Sequence, residues 1–520
     1  MDHSNRTSRR NLLAGTALAA LAAALPKGAA AAAGGEIIFV QGSNPPSLDA
    51  MSTSSQASRN INMNIYETLY GFSEHTAPIP ILAETVVVSD DGLTYRFPLR
   101  KGVKFHNLKE MTAKDVKASL ERYRKVGATS NLLEAVKSID ITGDYEVTLT
   151  MHQATPTFLE SFCSPRAPAV IIPEEDALAE AGKTSIIGTG PYKYVEYVPD
   201  SHVKLTRFAE YSQDTRMPDI DGFGGRKTAY LDTVTFRIMP EPGAQTAALE
   251  AGEVHIVEEI SVPAGKRMEK NPNIKVYKNM PWAMLTLIMN LDVAPTNNPK
   301  FREAVQVALN MEEVMALATA GFYELDHGWQ YKGTPYYAGD IGKSYYNQHD
   351  VARAKKLLAE AGYKGEEFSI LTDSNYTEHN KAAVVIAGNL KAVGINAVIN
   401  QVDWPTALKI RLQPTGWHGW TLMLGIEPYV GPVALVSTFT GKRPLFVKND
   451  RELDVLYQEL VIGKTVAARK VTFAKIQKRL YEFFGIIKLG DTGQMQAARS
   501  SVEGYRPFRF PRLYNVRVKA

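Results

Sequence analysis

The chain has 520 residues, 45% hydrophobic and 22% charged, with 38 glycines and 28 prolines, a globular composition that excludes the fibrous and disordered classes and has room for more than one domain. Its single cysteine, Cys163, excludes an intrachain disulfide, a cysteine-based zinc site and a lipid-bearing cysteine beside the N-terminus. A formal charge of only +4, with no stripe of Lys and Arg interleaved with aromatics, excludes a nucleic-acid surface.

Residues 1–33 read as an export signal. Arg9 and Arg10 stand directly before Leu12 and Leu13, an apolar stretch runs from Leu12 to Leu25, Lys27 follows, and a run of alanines suits cleavage, the pattern of the twin-arginine kind. The apolar stretch is shorter than the ~20 residues that span a bilayer, so removal is expected rather than anchoring. Without Arg6, Arg9, Arg10, Lys27 and Asp2 the formal charge falls from +4 to +1. The product is expected in the periplasm as a soluble protein with no lipid anchor. No later run approaches membrane length, and no repeat of 20 to 50 residues is present.

Short strands then alternate with helices. In "LTYRFPLRKG", Tyr95, Phe97 and Leu99 alternate with Thr94, Arg96 and Arg100, the period of a half-buried strand, and Pro98 points to a sheet edge. "TAKDVKASLERY" predicts a helix with Thr112 as N-cap and Val116, Leu120 and Tyr123 on one face. "PEEDALAEAG" predicts a helix from Pro173 to Gly182. Its continuation, "ALAEAGKT", satisfies the loosest form of a phosphate-binding loop. Such a loop needs a strand before it and a helix starting at the Lys-Thr, whereas here the predicted helix comes first, so Lys183 is assigned to a solvated helix end.

"NPKFREAVQVALN" predicts a helix capped by Asn298, with Pro299 first and Phe301, Val305, Ala308 and Leu309 facing a core. "HDVARAKKLLAEAGY" carries Ala354, Leu357, Leu358 and Ala361 at helical spacing and stops at Gly362. The strand "FSILT", a helix from His379 to Val393 and the strand "INAVINQV" form a β-α-β unit, hence parallel strands. No nucleophile elbow, His-Glu-x-x-His or Gly-x-Gly-x-x-Gly occurs, and the ten histidines are scattered singly. No catalytic residue, metal site or cofactor is expected.

Six stretches in fixed order carry a resemblance: "NIYETLYGF" from Asn64, "LAETVVVSDDGLTYRFPLRKGVKFHNLKEMTAKDVKASLERY" from Leu82, "GTGPYKYVEY" from Gly188, "AALEAGEVHIV" from Ala247, "FREAVQVALN" and "AKKLLAEAGY". Together they resemble family 5 of the extracellular solute-binding proteins, the peptide- and nickel-binding receptors of ATP-binding-cassette importers. The resemblance implies an α/β fold of the two-lobe periplasmic binding protein kind (type II, cluster C-like), with an extra domain inserted in the first lobe. It places the first lobe at 36–80, 190–288 and 490–520, the inserted domain at 81–189 and the second lobe at 289–489. It implies a monomer that delivers a peptide or peptide-like solute to permease subunits in the inner membrane. An opine, a sugar conjugate or a metal chelate is the alternative ligand, and an envelope hydrolase the alternative class.

Candidate cleft residues fall in three stretches. "GSNPPSLD" occupies the position where relatives line the cleft floor, with Ser43 and Asn44 as donors, and "NMPWAMLTLIMN" leads into the hinge with Trp282. "QVDWPTALKIRLQPTGWHGWTLMLGIEPY" holds Trp404, Trp417 and Trp420, three of the five tryptophans, together with Tyr429. Peptide-binding relatives carry Gly-Trp-x-x-Asp in this last stretch, the Asp pairing with the ligand's α-ammonium. Here Ile426 and Tyr429 replace the Trp and the Asp. Either Glu427 supplies the charge or the ligand has no free ammonium there; the second is expected, favouring N-blocked, cyclic or non-peptide ligands.

Overall fold

The computed structural model describes residues 34–425, 431–440 and 450–519. Its centre is an 11-stranded mixed sheet. From one edge the order is Asn396–Val402, Glu367–Asp373, Gly419–Leu424, Ile274–Met289, Ile486–Arg499, Ile256–Ile260, Glu36–Gln41, Thr233–Ile238, His202–Arg207 and Tyr192–Val198, with Tyr323–Glu324 pairing beside Ile486–Arg499.

Two long antiparallel strands, Ile274–Met289 and Ile486–Arg499, serve both halves of this sheet. Ile274 to Asn279 pair with Arg499 to Gln494, and Ala283 to Ile288 pair with Thr492 to Ile486, with a register slip between Asn279 and Ala283. Pro281 lies in the slip and has no N–H for the ladder, so the strand bulges and bends there. Before it, Ile486–Arg499 continues to Ile256–Ile260; beyond it, Met284–Met289 pairs with Gly419–Leu424. Leu285, Leu287 and Met289 enter one core, while Met284 and Ile288 enter another on the opposite face. Covering on both faces explains why this segment reads as an unbroken apolar run.

The β-α-β unit is present. Glu367–Asp373 and Asn396–Val402 are parallel over the whole register from Glu367 with Asn396 to Asp373 with Val402, and the connecting helix is Thr377–Ala392. The helix Pro299–Ala308 starts at its expected cap, Asn298, which accepts from Lys300 N–H at 2.9 Å, and Val351–Glu360 is capped by Asp350, which accepts from Arg353 N–H at 2.9 Å.

A separate four-stranded sheet runs Val87–Val88, Thr94–Pro98, Glu146–Met151, Val136–Gly143, packed by the helix Ala113–Val126. Asp115 accepts from the Thr112 N–H at 2.9 Å, half of a capping box. Thr94–Pro98 is not an edge strand, contrary to the reading of Pro98: Val87–Val88 lies outside it, but pairs only with Arg96 and Tyr95 and stops short of the proline.

Residues 173–182 are a second correction. They form a succession of turns, such as Asp176 N–H to Pro173 O and Ala179 N–H to Asp176 O, instead of a helix. Tertiary partners take the backbone groups a helix would pair: Glu174 N–H donates to Asp115 at 3.0 Å, Ala179 O and Glu180 O accept from Arg122, and Gly182 N–H donates to Asp49 at 2.9 Å. So short a helix has too little intrinsic stability to compete.

Candidate ligand-binding cleft

Where the long strands slip past one another, side chains from both halves of the sheet converge. From the first half, the strand Ile256–Ile260 ends in two acids. Asn60 donates to Glu258 at 2.6 Å. Burial, reinforced by Glu259, pushes the Glu258 carboxyl up to about 7 against the hydrogen bonds from Asn60 and Gln56. Glu259 keeps contact with solvent yet is raised too, by burial first and then by Glu378, which belongs to the helix Thr377–Ala392 of the other half. Gln494 opposes this by hydrogen bonding to Glu259. Gln496 donates to Gln494 at 3.2 Å and Tyr505 donates to Gln496 at 3.0 Å, so a polar chain backs the acidic wall.

From the second half comes an aromatic series. Tyr376 is 42% exposed; its ring lies 5.2 Å from Trp404, whose ring lies 6.1 Å from Trp420. His379 anchors the base of this series. Its Nε2 accepts the Met423 N–H at 2.8 Å, so Nδ1 bears the proton and donates to Asp373 at 2.6 Å. Burial lowers the His379 pKa, with Asp373 acting against it. Asp373 also accepts from the N–H groups of Asn375 and Tyr376, which fixes the turn that presents Tyr376.

At the slip itself, Trp282 is half-buried and carries the Arg509 guanidinium 4.0 Å above its ring. Gln56 bridges the first-half elements, donating to Asn60 at 3.0 Å and to the Arg509 carbonyl at 3.5 Å. The arrangement gathers acids from the first half, aromatic rings from the second and a cation at the strand slip.

The candidates divide accordingly. Trp282 and Trp404 reach this region. Trp417 and Trp420 are core residues, 7% and 2% exposed, and Trp417 donates to Gln413 O at 3.1 Å. Asn44 fastens a hairpin: its amide donates to Asp200 at 2.6 Å and its oxygen accepts from Asp200 N–H and Tyr197 OH. Ser43 is exposed beside it, its carbonyl accepting from Gln41 at 3.0 Å. Glu427 and Tyr429 lie outside the described residues. Asp49, at the end of the same stretch as Ser43, forms a buried two-pronged pair with Arg122 at 2.6 and 3.1 Å.

The Gly-Lys-Thr stretch and the acids around Lys109 belong to the framework. The Gly182 N–H meets the Asp49 carboxylate and Lys183 is exposed, so no amide cradle for phosphate forms. Among the described residues, one carboxylate group has metal-ligand spacing, Asp115 with Glu174 and Glu175. The Lys109 ammonium lies 2.8, 3.5 and 2.8 Å from those three and already balances their charge. Gly188 and Gly190 are steric: a Cβ on either would stand 2.2 or 2.6 Å from the Ile65 carbonyl oxygen.

Residues 77–442 match the family model for bacterial extracellular solute-binding proteins, family 5 Middle. The chain belongs to this family. Over 527 residues it is 25% identical to a probable peptide ABC transporter periplasmic-binding protein, y4tO, of Sinorhizobium fredii, covering 98% of this chain and 99% of the relative. It is 29% identical over 526 residues to the oligopeptide-binding protein AppA of Bacillus subtilis, covering 93% and 91%. In fold it matches NikA from Brucella suis, solved with Fe(III)-EDTA, at a TM-score of 0.82 with 21% identity, covering 93% of this chain and all of that one. The fold is thus the two-lobe architecture of periplasmic binding proteins.

For this family 5 protein, sequence reasoning missed Glu258, Glu259, Tyr376, Glu378 and Arg509. One signal was available. In "HIVEEI" two acids interrupt a buried strand, and an interior strand carries charge only where the charge faces a cavity or a partner.

Proposed function

We propose that this solute-binding protein captures a peptide or peptide-like solute between its lobes and delivers it to the permease of an ATP-binding-cassette importer. What supports this reading is the meeting of Glu258 and Glu259, from the strand Ile256–Ile260, with Tyr376 and Glu378, from the other half of the sheet. The relatives y4tO and AppA, named for peptide and oligopeptide binding, support the ligand class. The first lobe takes 36–80, 190–288 and 490–520, the inserted domain 81–189 and the second lobe 289–489, the chain passing between lobes near the slip at 280–282. Ser43, Asn44, Trp282, Trp404, Trp417, Trp420, Glu427 and Tyr429 are the sequence-derived candidates for ligand contact, of which Trp282 and Trp404 are best placed. Closure on the solute sets the affinity, because a ligand shifts the open–closed balance only by its stronger binding to the closed form. The protein acts in the periplasm as a monomer exported by the twin-arginine route, without catalysis of its own, and its solute is N-blocked, cyclic or otherwise lacks a free ammonium at Tyr429.

Native mass spectrometry of gently purified protein tests this. One peptide-like solute per chain, released unchanged after prolonged incubation, is expected. Release of hydrolysis products would favour the hydrolase class, and a solute of opine, sugar-conjugate or chelate chemistry would replace the peptide reading while keeping the receptor.

A further inference from the structure

Two separately built cores meet at a charged contact. Glu160 stands midway along the short helix Phe158–Phe162, whose Phe158 and Phe162 rings stack at 5.4 Å and pack in the core that also holds Phe97 and Leu149 of the four-stranded sheet. Arg469 stands on the helix Val466–Phe483, whose Phe473 and Ile476 pack with Tyr336 in a core of the second half. The arginine side chain is 3% exposed. Its Nε donates to the Tyr336 hydroxyl at 2.9 Å and its Nη1 to the Gly463 carbonyl at 2.9 Å, both within its own half. Nη2 donates to Glu160 Oε1, and the Tyr336 hydroxyl donates to Glu160 Oε2 at 3.3 Å. Gly431, with φ of 64°, closes a further side: a Cβ there would stand 3.3 Å from Tyr336 Cε2 and 3.8 Å from Glu160 Oε2.

We infer that Glu160, Arg469 and Tyr336 form a latch, engaged when the segment bearing Glu160 and the second half come together on a bound solute, and that this latch slows the solute's release. The socket is built without its guest: Tyr336 and Gly463 fix the guanidinium and leave Nη2 to Glu160. The helix bearing Glu160 is fixed as independently, by Phe158 against Tyr95 at 5.1 Å and Phe162 against Phe97 at 6.1 Å. Parting the two breaks neither core, leaves Arg469 two hydrogen bonds and returns Glu160 to water. Engagement strips the carboxylate of water, and burial accordingly raises its pKa against the pull of Arg469 and Tyr336. Two hydrogen bonds to the charged group offset that cost, so the net gain is modest, as a contact that opens in every round of delivery requires. Gly431 ties the latch to the solute, because it directly follows residues 426–430, which include the ligand-contact candidates Glu427 and Tyr429.

The inference rests on the receptor reading. The test is stopped-flow association and dissociation of the copurified solute with wild type, Glu160→Gln and Glu160→Arg, the folding of each checked by its urea midpoint without solute. Release is expected to be about tenfold faster in Glu160→Gln and faster still in Glu160→Arg, where two guanidinium groups repel. Association is expected to be unchanged, since the latch forms after the solute is bound. Unchanged release, or slower association alone, overturns the latch; a lowered urea midpoint with unchanged release makes the contact a permanent brace and overturns it as well. If no solute copurifies, the receptor reading falls, and the latch is judged on the solute-free chain by single-molecule energy transfer. The labels sit at Lys137→Cys and Lys470→Cys, both exposed positions, while Cys163 is buried. Wild type is then expected to show a short distance that Glu160→Arg loses, and identical distance distributions overturn the latch.

Discussion

Glu258 links the cleft to pH. Its carboxyl titrates near 7 in the folded protein, against ~4.3 in an unfolded chain. The folded form therefore holds the proton more tightly, and the stability this gives is complete below pH ~4 and is lost as pH rises through 7. The shift corresponds to ~4 kcal/mol at most by the usual conversion, and residual solvent contact reduces it to roughly 1–2 kcal/mol. Urea midpoints at pH 5 and pH 8 should differ by this amount more in wild type than in Glu258→Gln, which keeps the acceptor for Asn60; identical pH dependence would remove Glu258 from the cleft's electrostatics. Asp49 and Lys183 give a sharper contrast. Asp49→Ala strands the Arg122 guanidinium, 1% exposed in its side chain, and is expected to cost about 3–5 kcal/mol in urea unfolding. Lys183→Ala should leave solute affinity within about twofold, since an exposed side chain with no site to serve contributes little.

Contacts between elements decide how the lobes meet. Glu160, on the short helix Phe158–Phe162, reaches across to Arg469 on the helix Val466–Phe483. Arg469 also donates to Tyr336 at 2.9 Å and to Gly463 O at 2.9 Å. If this contact belongs to the closed form, Glu160→Gln raises the Kd for the copurified solute about tenfold, a charged hydrogen bond contributing ~1.5–3 kcal/mol, with little change in the urea midpoint of ligand-free protein. The opposite pattern, lost stability with unchanged Kd, would make it a permanent brace. At this scale the sequence was most readable where structure is local: the caps at Asn298 and Thr112 and the β-α-β unit follow from periodicity and end signals within a few residues. Residues 173–182 were not readable, because their backbone partners are distant, Asp115 59 positions away and Asp49 133. The site shows the same division. An aromatic-rich second lobe was visible, but which tryptophan faces the cleft depends on packing, and the placement of Arg509 depends on Trp282, 227 positions before it.

For the whole molecule, the export signal and the lobe architecture make independent claims. Replacing Arg9 and Arg10 together by Lys should hold precursor in the cytoplasm, as cell fractionation would show, whereas undiminished periplasmic protein would refute the twin-arginine reading. The strand pair Ile274–Met289 and Ile486–Arg499 runs through both halves of the central sheet, with its register slip between Asn279 and Ala283. Capture by closure is the claim on which the receptor reading turns. Small-angle X-ray scattering of the protein stripped of its solute and then saturated with it tests that claim most directly: a smaller radius of gyration on saturation, reversed when the solute is removed, is expected, and superimposable profiles under proven occupancy would contradict it.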